Sequence, residues 1–533
     1  MRALASLVAV TSFASLVAAA GCTDPGEDAT PDDYEVVADG KADNYRSPTA
    51  QEFTAAASAR VTLAESDRAL PAAERLAKAQ ELVSAKLMQI GWFLNLYVAD
   101  KEPEDGNKSY GGFHAMARNS SVQSLAITAI DAVTFEFNFE ATIAAQNAFM
   151  TLLTGTVAGS GKQITLAMGA LTNEQLLAGT WQSSYDVHSW DPKTVPASAV
   201  EQLPMTVAPS TRSSNAYLDY NRLYADGKLE VGAQFGWDYN AGRADLSNAA
   251  QLYSDLVDAG FTSPVAKFAD LKLDSAALTR KGTFNGKSVE ITVKLVHPGM
   301  VVSASADAVK LRQALLELFA KKEVVLFNGH AGVSGRLLPA DFRSTSTGNI
   351  LPAEYPTMAM FPGYQVVLIE GCQTYARFTD GFKANPAKHD AAGKLKDLDI
   401  VTSTSYTWTT QGANSMESIL FPLVGAAATT NIKPSTWDDI LRDMNAAPNQ
   451  TAFMGVNGID SDPHAHPYAR ADKLGKTCTT SATCGGEGNL CMKSGAAKVC
   501  GTVCLDDAGC GSAFKCTAVA NAGTISGKAC VAR

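Results

Sequence analysis

The chain has 533 residues, 46% of them hydrophobic and 18% charged, with a formal net charge of −10. That composition is globular and the length too great for one core: at roughly one domain per 150 residues it predicts two to four domains. No block of clustered Lys and Arg occurs, which excludes nucleic acid as a main partner because phosphate binding needs such clusters. Beyond residue 22 no apolar run reaches the ~18 residues that span a bilayer.

In chain order, the opening stretch MRALASLVAVTSFASLVAAAGC has a positive start at Arg2 and then small and apolar residues, the pattern of an export signal. Its end, AAGC, resembles the lipobox of bacterial lipoproteins, with Ala19 where Leu is usual and Cys22 as the lipidated residue. The resemblance implies removal of residues 1–21, a lipid anchor at Cys22 and a location on the bacterial cell envelope, at the outer membrane. Plain cleavage near Ala20 is the alternative. Residues 22–55 read as a polar, flexible tether.

Residues 56–225 read as an α+β or β-rich domain whose role is not legible. From Pro71 a helix is predicted, proline suiting its first turn, with Leu76, Leu82, Leu87, Ile90 and Leu94 on its apolar face. VTFEFNFEA at 133–141 alternates strictly, the mark of a half-buried strand in an antiparallel sheet. Residues 150–225 are rich in Thr, Ser, Gly and Pro and give no clear periodicity.

Over 226–472 the pattern changes. LEVGAQFGW, SVEITVKLV, EVVLFNG, QVVLIEG, LDIVTSTSY and TAFMGVNGI read as strands. SNAAQLYSDLVDAG, SADAVKLRQALLELFAKK with Ser305 as its cap, NSMESILFPLVGAA and STWDDILRDMNAA read as helices. Continuously apolar strands alternating with helices predict an α/β domain with a mostly parallel sheet covered on both faces. The link between VVLF and VVLI contains no strong helix.

Ten cysteines are present, and eight of them fall in the last 56 residues. They form two similar halves, C-x5-C-x6-C-x8-C and C-x5-C-x5-C-x13-C. With little apolar mass between them, residues 473–533 read as a small module held by disulfides. Zinc is the competing reading, opposed by the lack of any CxxC. If Cys22 carries lipid, Cys372 is left without a partner, either as a buried inert thiol or as a reactive one.

Ligands collect beyond the carboxyl ends of strands in such sheets. His330 in NGHAG and Cys372 in EGCQT both lie there, each just past an apolar run. A thiol needs a base to become a nucleophile, and imidazole suits that task. A strand ending in His-Gly followed by one ending in Glu/Asp-Ala/Gly-Cys is the signature of the caspase-like cysteine peptidases, the group of caspases, metacaspases, legumain, clostripain, gingipains and separase. GHAG at 329–332 and EGC at 370–372 resemble those two motifs, with Ala331 where Gly is usual. The resemblance covers roughly 228–470. It implies a caspase-like three-layer α/β domain, Cys372 as nucleophile, His330 as general base and acid, and an oxyanion received by the backbone amides of Cys372 and Ala331. It also implies a pocket lined by the segment after the next strand, through Ser403, Ser405 and Tyr406.

The expected activity is that of an exported endopeptidase acting on polypeptide, with no required cofactor. The rival is an inactive scaffold that binds at the cell surface, with a metal-dependent form of that reading resting on DSDPHAHPY, which brings Asp460, Asp462, His464 and His466 together as candidate ligands for a structural Ca²⁺ or Zn²⁺. Against that stands a plain polar exit loop. The cysteine-rich module is expected to bind cell-surface material or another protein.

Overall fold

The computed structural model describes residues 43–101, 116–117, 123–185, 190–331, 335–372, 374–404, 407, 409–425, 430–446, 454–462, 464–486, 489–519 and 528–533. It has an N-terminal β-rich region, a central α/β domain on a mixed sheet and a C-terminal disulfide-rich tail. Cys22 and the tether to residue 42 lie outside the described residues.

The N-terminal region is built from β1 (Ala50–Thr62), α1 (Ala72–Lys101), β2 (Met116–Ala117), β3 (Gln123–Ala129), β4 (Thr134–Gln146), β5 (Thr156–Ala158), β6 (Gly161–Gly169) and β7 (Val200–Pro209). The strands pair antiparallel in the order β2-β4-β1-β7-β6-β5, with β3 also on β4. The alternation in β4 puts Phe135, Phe137 and Phe139 into one core with Leu82, Val83, Ile90 and Leu94 of α1. Burial of each such side chain stabilises by about 1.5–3 kcal/mol. Strands β5, β6 and β7 fall where no periodicity was expected; Ile164, Leu166 and Met168, and Leu203, Met205 and Val207, do alternate inward.

The central sheet contains β8 (Lys228–Phe235), β9 (Leu278–Phe284), β10 (Lys287–Val296), β11 (Val324–Asn328), β12 (Gln365–Glu370), β13 (Leu398–Ser403) and β14 (Met454–Asn457). Its order is β14-β13-β12-β11-β8-β10-β9, the five inner strands parallel and both edges antiparallel. On one face, Val324, Leu326, Val366 and Leu368 pack against α2 (Ala244–Asp258), α4 (Gly412–Val424) and α5 (Trp437–Met444), defined here with α3 (Ala308–Lys321). On the other, Val325, Phe327, Val367 and Ile369 meet Leu311, Leu315, Leu318 and Phe319 of α3. This double burial is why β11 and β12 read as unbroken apolar runs. Ser305 is not the cap of α3: Asp307 holds the N-cap position, and the Ser305 hydroxyl donates to Asp341 Oδ2 at 2.8 Å.

The chain ahead of β1 crosses the central domain. Arg46 exchanges backbone hydrogen bonds with Val456 of β14 at 2.8 and 2.9 Å, and its guanidinium pairs with Asp438. Tyr45 packs edge-on against Tyr375, whose hydroxyl donates to Glu52 Oε1 at 2.5 Å. Tyr375 lies three residues after Cys372, so this strap braces the turn that carries the cysteine.

The tail is two hairpins, β15 (Leu490–Ser494) with β16 (Ala497–Gly501) and β17 (Phe514–Ala518) with β18 (Lys528–Ala532). Disulfides join Cys478–Cys491, Cys484–Cys500, Cys504–Cys516 and Cys510–Cys530. Each half thus pairs first with third and second with fourth. Closing loops of this size stabilises by about 3 kcal/mol each in the chain-entropy account. Four such bonds fit an oxidising compartment outside the cytoplasm. Val503 inserts into the central core, and Asn489 Nδ2 donates to the Tyr468 carbonyl at 2.8 Å, which docks the tail on the domain.

Candidate functional site

Three adjacent strands end together. Asn328 of β11 pairs with Phe235 of β8 on one side and Glu370 of β12 on the other. The next residue in each chain is glycine: Gly236, Gly329 and Gly371. The next after that gives Trp237, His330 and Cys372. The glycines are required by close approach rather than by turn conformation. A Cβ on Gly371 would lie 2.7 Å from the Gly329 carbonyl oxygen and 2.9 Å from the Ala331 Cβ, and one on Gly329 would lie 3.1 Å from the Gly236 Cα. Gly236 N donates to the Asn328 carbonyl at 2.7 Å, and Gly329 N to the Glu370 carbonyl at 3.1 Å. The loops bearing His330 and Cys372 are therefore in backbone contact at the carboxyl edge of the sheet.

His330 is buried, with Nε2 3.4 Å from Asp238 Oδ1. Its ring stacks on Tyr239 at 4.5 Å and meets Phe342 edge-on at 5.5 Å. Asp238 is itself held by the backbone N–H groups of Asn240 and Ala244, both at 3.0 Å. Burial pushes the Asp238 carboxyl up, but hydrogen bonds from His330 and those two amides outweigh it and leave the group below its ordinary value. It is an anion placed to hold one imidazole nitrogen and orient the ring. A cleft at this edge is lined by Gly236, Asp238, Asp245, Asn328, Gly329, His330, Thr407 and Thr409. Asp238 was missed in the sequence. The available signal was FGWD, a third strand end with the same glycine that precedes His330 and Cys372.

Cys372 is buried and forms a disulfide. This corrects the expectation of an unpaired thiol. The eight tail cysteines pair among themselves, so its partner lies outside the described residues. In this state the sulfur is not a thiolate, and no thiolate–imidazolium pair exists.

The remaining candidates disperse. Ala331 is buried and belongs to the hydrophobic cluster that contains Leu311 and Leu315 of α3. Ser403 is fully buried; its hydroxyl donates to the Gly371 carbonyl at 2.6 Å and its N–H donates to Thr374 Oγ1 at 2.8 Å, so it pins the cysteine turn. Ser405 and Tyr406 lie outside the described residues. Glu370, just before Gly371, is fully buried: Ser415 Oγ donates to Oε1 at 2.9 Å, and Oε2 has no partner among the described residues. Burial pushes its carboxyl up to about 7, against hydrogen bonds from Ser415 and Asn328.

Asp460, Asp462, His464 and His466 do not form a ligand cluster among the described residues. Asp460 Oδ2 accepts from Ser213 Oγ at 2.6 Å and Asn44 N at 3.0 Å. His464 faces Asp219 at 3.6 Å, and His466 Nδ1 accepts from Tyr468 N at 3.1 Å between the rings of Tyr217 and Tyr468. Side chains adjacent in sequence here point to different neighbours and serve packing. The groups whose ligand atoms do gather within 4.8 Å are Cys478, Cys484 and Cys500, and Cys504, Cys510 and Cys516. Their sulfurs are in disulfides, and a metal needs thiolates, so these sites would hold an ion only after reduction.

Comparison with protein-family models, with curated proteins and with solved structures finds no match for this chain.

Proposed function

We propose that the protein is an exported cysteine endopeptidase of the caspase-like kind, described here with its nucleophile masked. The observation that carries the reading is the row of strand ends: parallel neighbours β11 and β12 present His330 and Cys372 two residues beyond a register pair, Asn328 and Glu370, and Asp238 from beyond β8 holds the histidine. These residue types at adjoining strand ends support the roles of nucleophile for Cys372, base for His330 and orienting carboxylate for Asp238.

Opening the Cys372 disulfide is the first requirement. A reductant does this, converting the disulfide to two thiols. His330 then takes the thiol proton, the sulfur attacks the peptide carbonyl carbon, and His330 returns the proton to the leaving amine. Water, deprotonated by the same imidazole, hydrolyses the thioester. Backbone N–H groups at Cys372 and Ala331 receive the oxyanion. Asp238 acts through His330 as a positioning residue. The test is hydrolysis of a mixed-sequence peptide pool by reduced protein: wild type cleaves, while Cys372→Ala and His330→Ala do not. Cleavage that survives Cys372→Ala rejects the reading.

One observation favours a second reading, an inactive binding scaffold: Cys372 is in a disulfide, and a disulfide that stays closed serves structure only. In that case Cys372→Ala lowers stability, and no peptide is cleaved by any form of the protein.

A further inference from the structure

The tail differs in charge from the rest of the chain. Residues 473–533 hold seven Lys or Arg and three Asp or Glu, a net +4, which leaves −14 for residues 1–472. Three of the lysines are brought to one face. Within the first hairpin Lys493 lies directly opposite Lys498. The segment at Thr477 adds to the same hairpin beside Val499, with Cys500 N donating to the Lys476 carbonyl at 2.8 Å and Cys478 N to the Lys498 carbonyl at 3.1 Å. Paired residues share a face and alternate residues return to it. Lys476, Lys493 and Lys498 therefore stand on the face that carries the Cys478–Cys491 disulfide, and all three are exposed.

Directly opposed like charges destabilise a hairpin. The ion pairs described in and beside the tail are Arg470–Asp472 and Arg533–Asp507, so neither relieves these lysines. Two disulfides hold the arrangement regardless. We infer that this lysine face docks on a surface of anionic lipid headgroups. The chemistry of the tail selects that occupant. Protein-binding hot spots rest on Trp, Tyr and Arg; residues 473–533 contain no Trp or Tyr, one Arg at the terminus and one aromatic, Phe514, which packs with the tail cysteines. Ammonium groups without an apolar anchor suit a diffuse field of phosphates. The acidic remainder is repelled by the same field, so the body, with its cleft, is held away from the bilayer.

The experiment uses the chain without residues 1–21 and carrying Cys22→Ala, so that neither the apolar export signal nor an acyl group contributes, in co-sedimentation with vesicles of phosphatidylcholine alone or with one third phosphatidylglycerol. At low salt, binding is expected to the anionic vesicles only and to fall steeply as salt rises. Lys476→Glu/Lys493→Glu/Lys498→Glu is expected to weaken it by on the order of 100-fold. The control Lys267→Glu/Lys281→Glu/Lys287→Glu, three exposed lysines of the central domain, is expected to change it less than the tail variant by far. Absence of binding to anionic vesicles, equal binding to neutral ones, or equal losses in both triple variants overturns the inference. Peptide hydrolysis plays no part in the readout, so the result stands apart from the peptidase reading.

Discussion

Glu370 and Asp238 show opposite uses of a buried carboxyl at one site. Glu370 holds its proton to higher pH than an ordinary carboxyl: burial raises it to about 7, far above the ordinary value of about 4.3. The folded state then binds more protons than the unfolded chain between those two values. Stability accordingly falls as pH rises through that window and levels off above it. Glu370→Gln keeps the shape and removes the slope. Urea unfolding is expected to find the variant more stable than wild type at pH 8, by up to on the order of 3 kcal/mol, with the advantage gone near pH 4. Parallel pH dependences in the two proteins contradict the assignment. Asp238 is lowered instead, so the stability it contributes is present above its unfolded value and lost as pH falls through the folded one. Asp238→Asn is expected to leave the fold intact by circular dichroism and to reduce kcat for peptide hydrolysis by about 100-fold or more with little change in KM. An unchanged kcat removes Asp238 from the mechanism.

At the scale of elements, the site depends on three strand ends packed closer than side chains allow. Gly371→Ala places a methyl 2.7 Å from a backbone carbonyl oxygen, and backbone cannot swing aside as a flexible side-chain tip does. The expected cost is about 1–3 kcal/mol in thermal or urea unfolding, with loss of hydrolysis beyond what the stability change explains. Ser403→Ala releases the Gly371 carbonyl and is expected to cost about 1–2 kcal/mol. The inner strands were legible because burial on both faces writes an unbroken apolar run, as in VVLF and VVLI. Strands β5 to β7 and the edge strand β9 were not: β6 and β7 carry inward residues only at alternate positions among Thr, Gln, Gly and Pro, and LTRKGTF turns Leu278, Arg280, Gly282 and Phe284 inward, a set broken by a charge and a glycine. His330 and Cys372 could be found because each follows a strand–glycine junction. Asp238 escaped notice because its importance lies in a contact between residues 92 apart in sequence. The cluster at 460–466 shows the converse: adjacency in sequence suggested shared ligands, whereas Asp460, His464 and His466 meet separate partners.

On the scale of the whole molecule, a strap braces the turn that carries Cys372, and a disulfide module docks on the same central domain. The strap and the start of β1 bring Tyr45 and Glu52 onto Tyr375, so Tyr375→Phe is expected to loosen the cysteine turn, read as faster amide exchange over 372–378 without global unfolding. The state of Cys372 links this architecture to function, since the same sulfur is a covalent tie in the structure described and the nucleophile in the proposed reaction. The most direct measurement is hydrolysis of a mixed-sequence peptide pool without reductant, comparing wild type, Cys22→Ser and Cys22→Ser/Cys372→Ala, each produced without lipid. If Cys22 is the partner that masks a competent nucleophile, wild type is silent, Cys22→Ser cleaves, and the double variant is silent again. Cleavage by the double variant, or silence of Cys22→Ser although its Cys372 thiol is shown to be free by alkylation, contradicts the account.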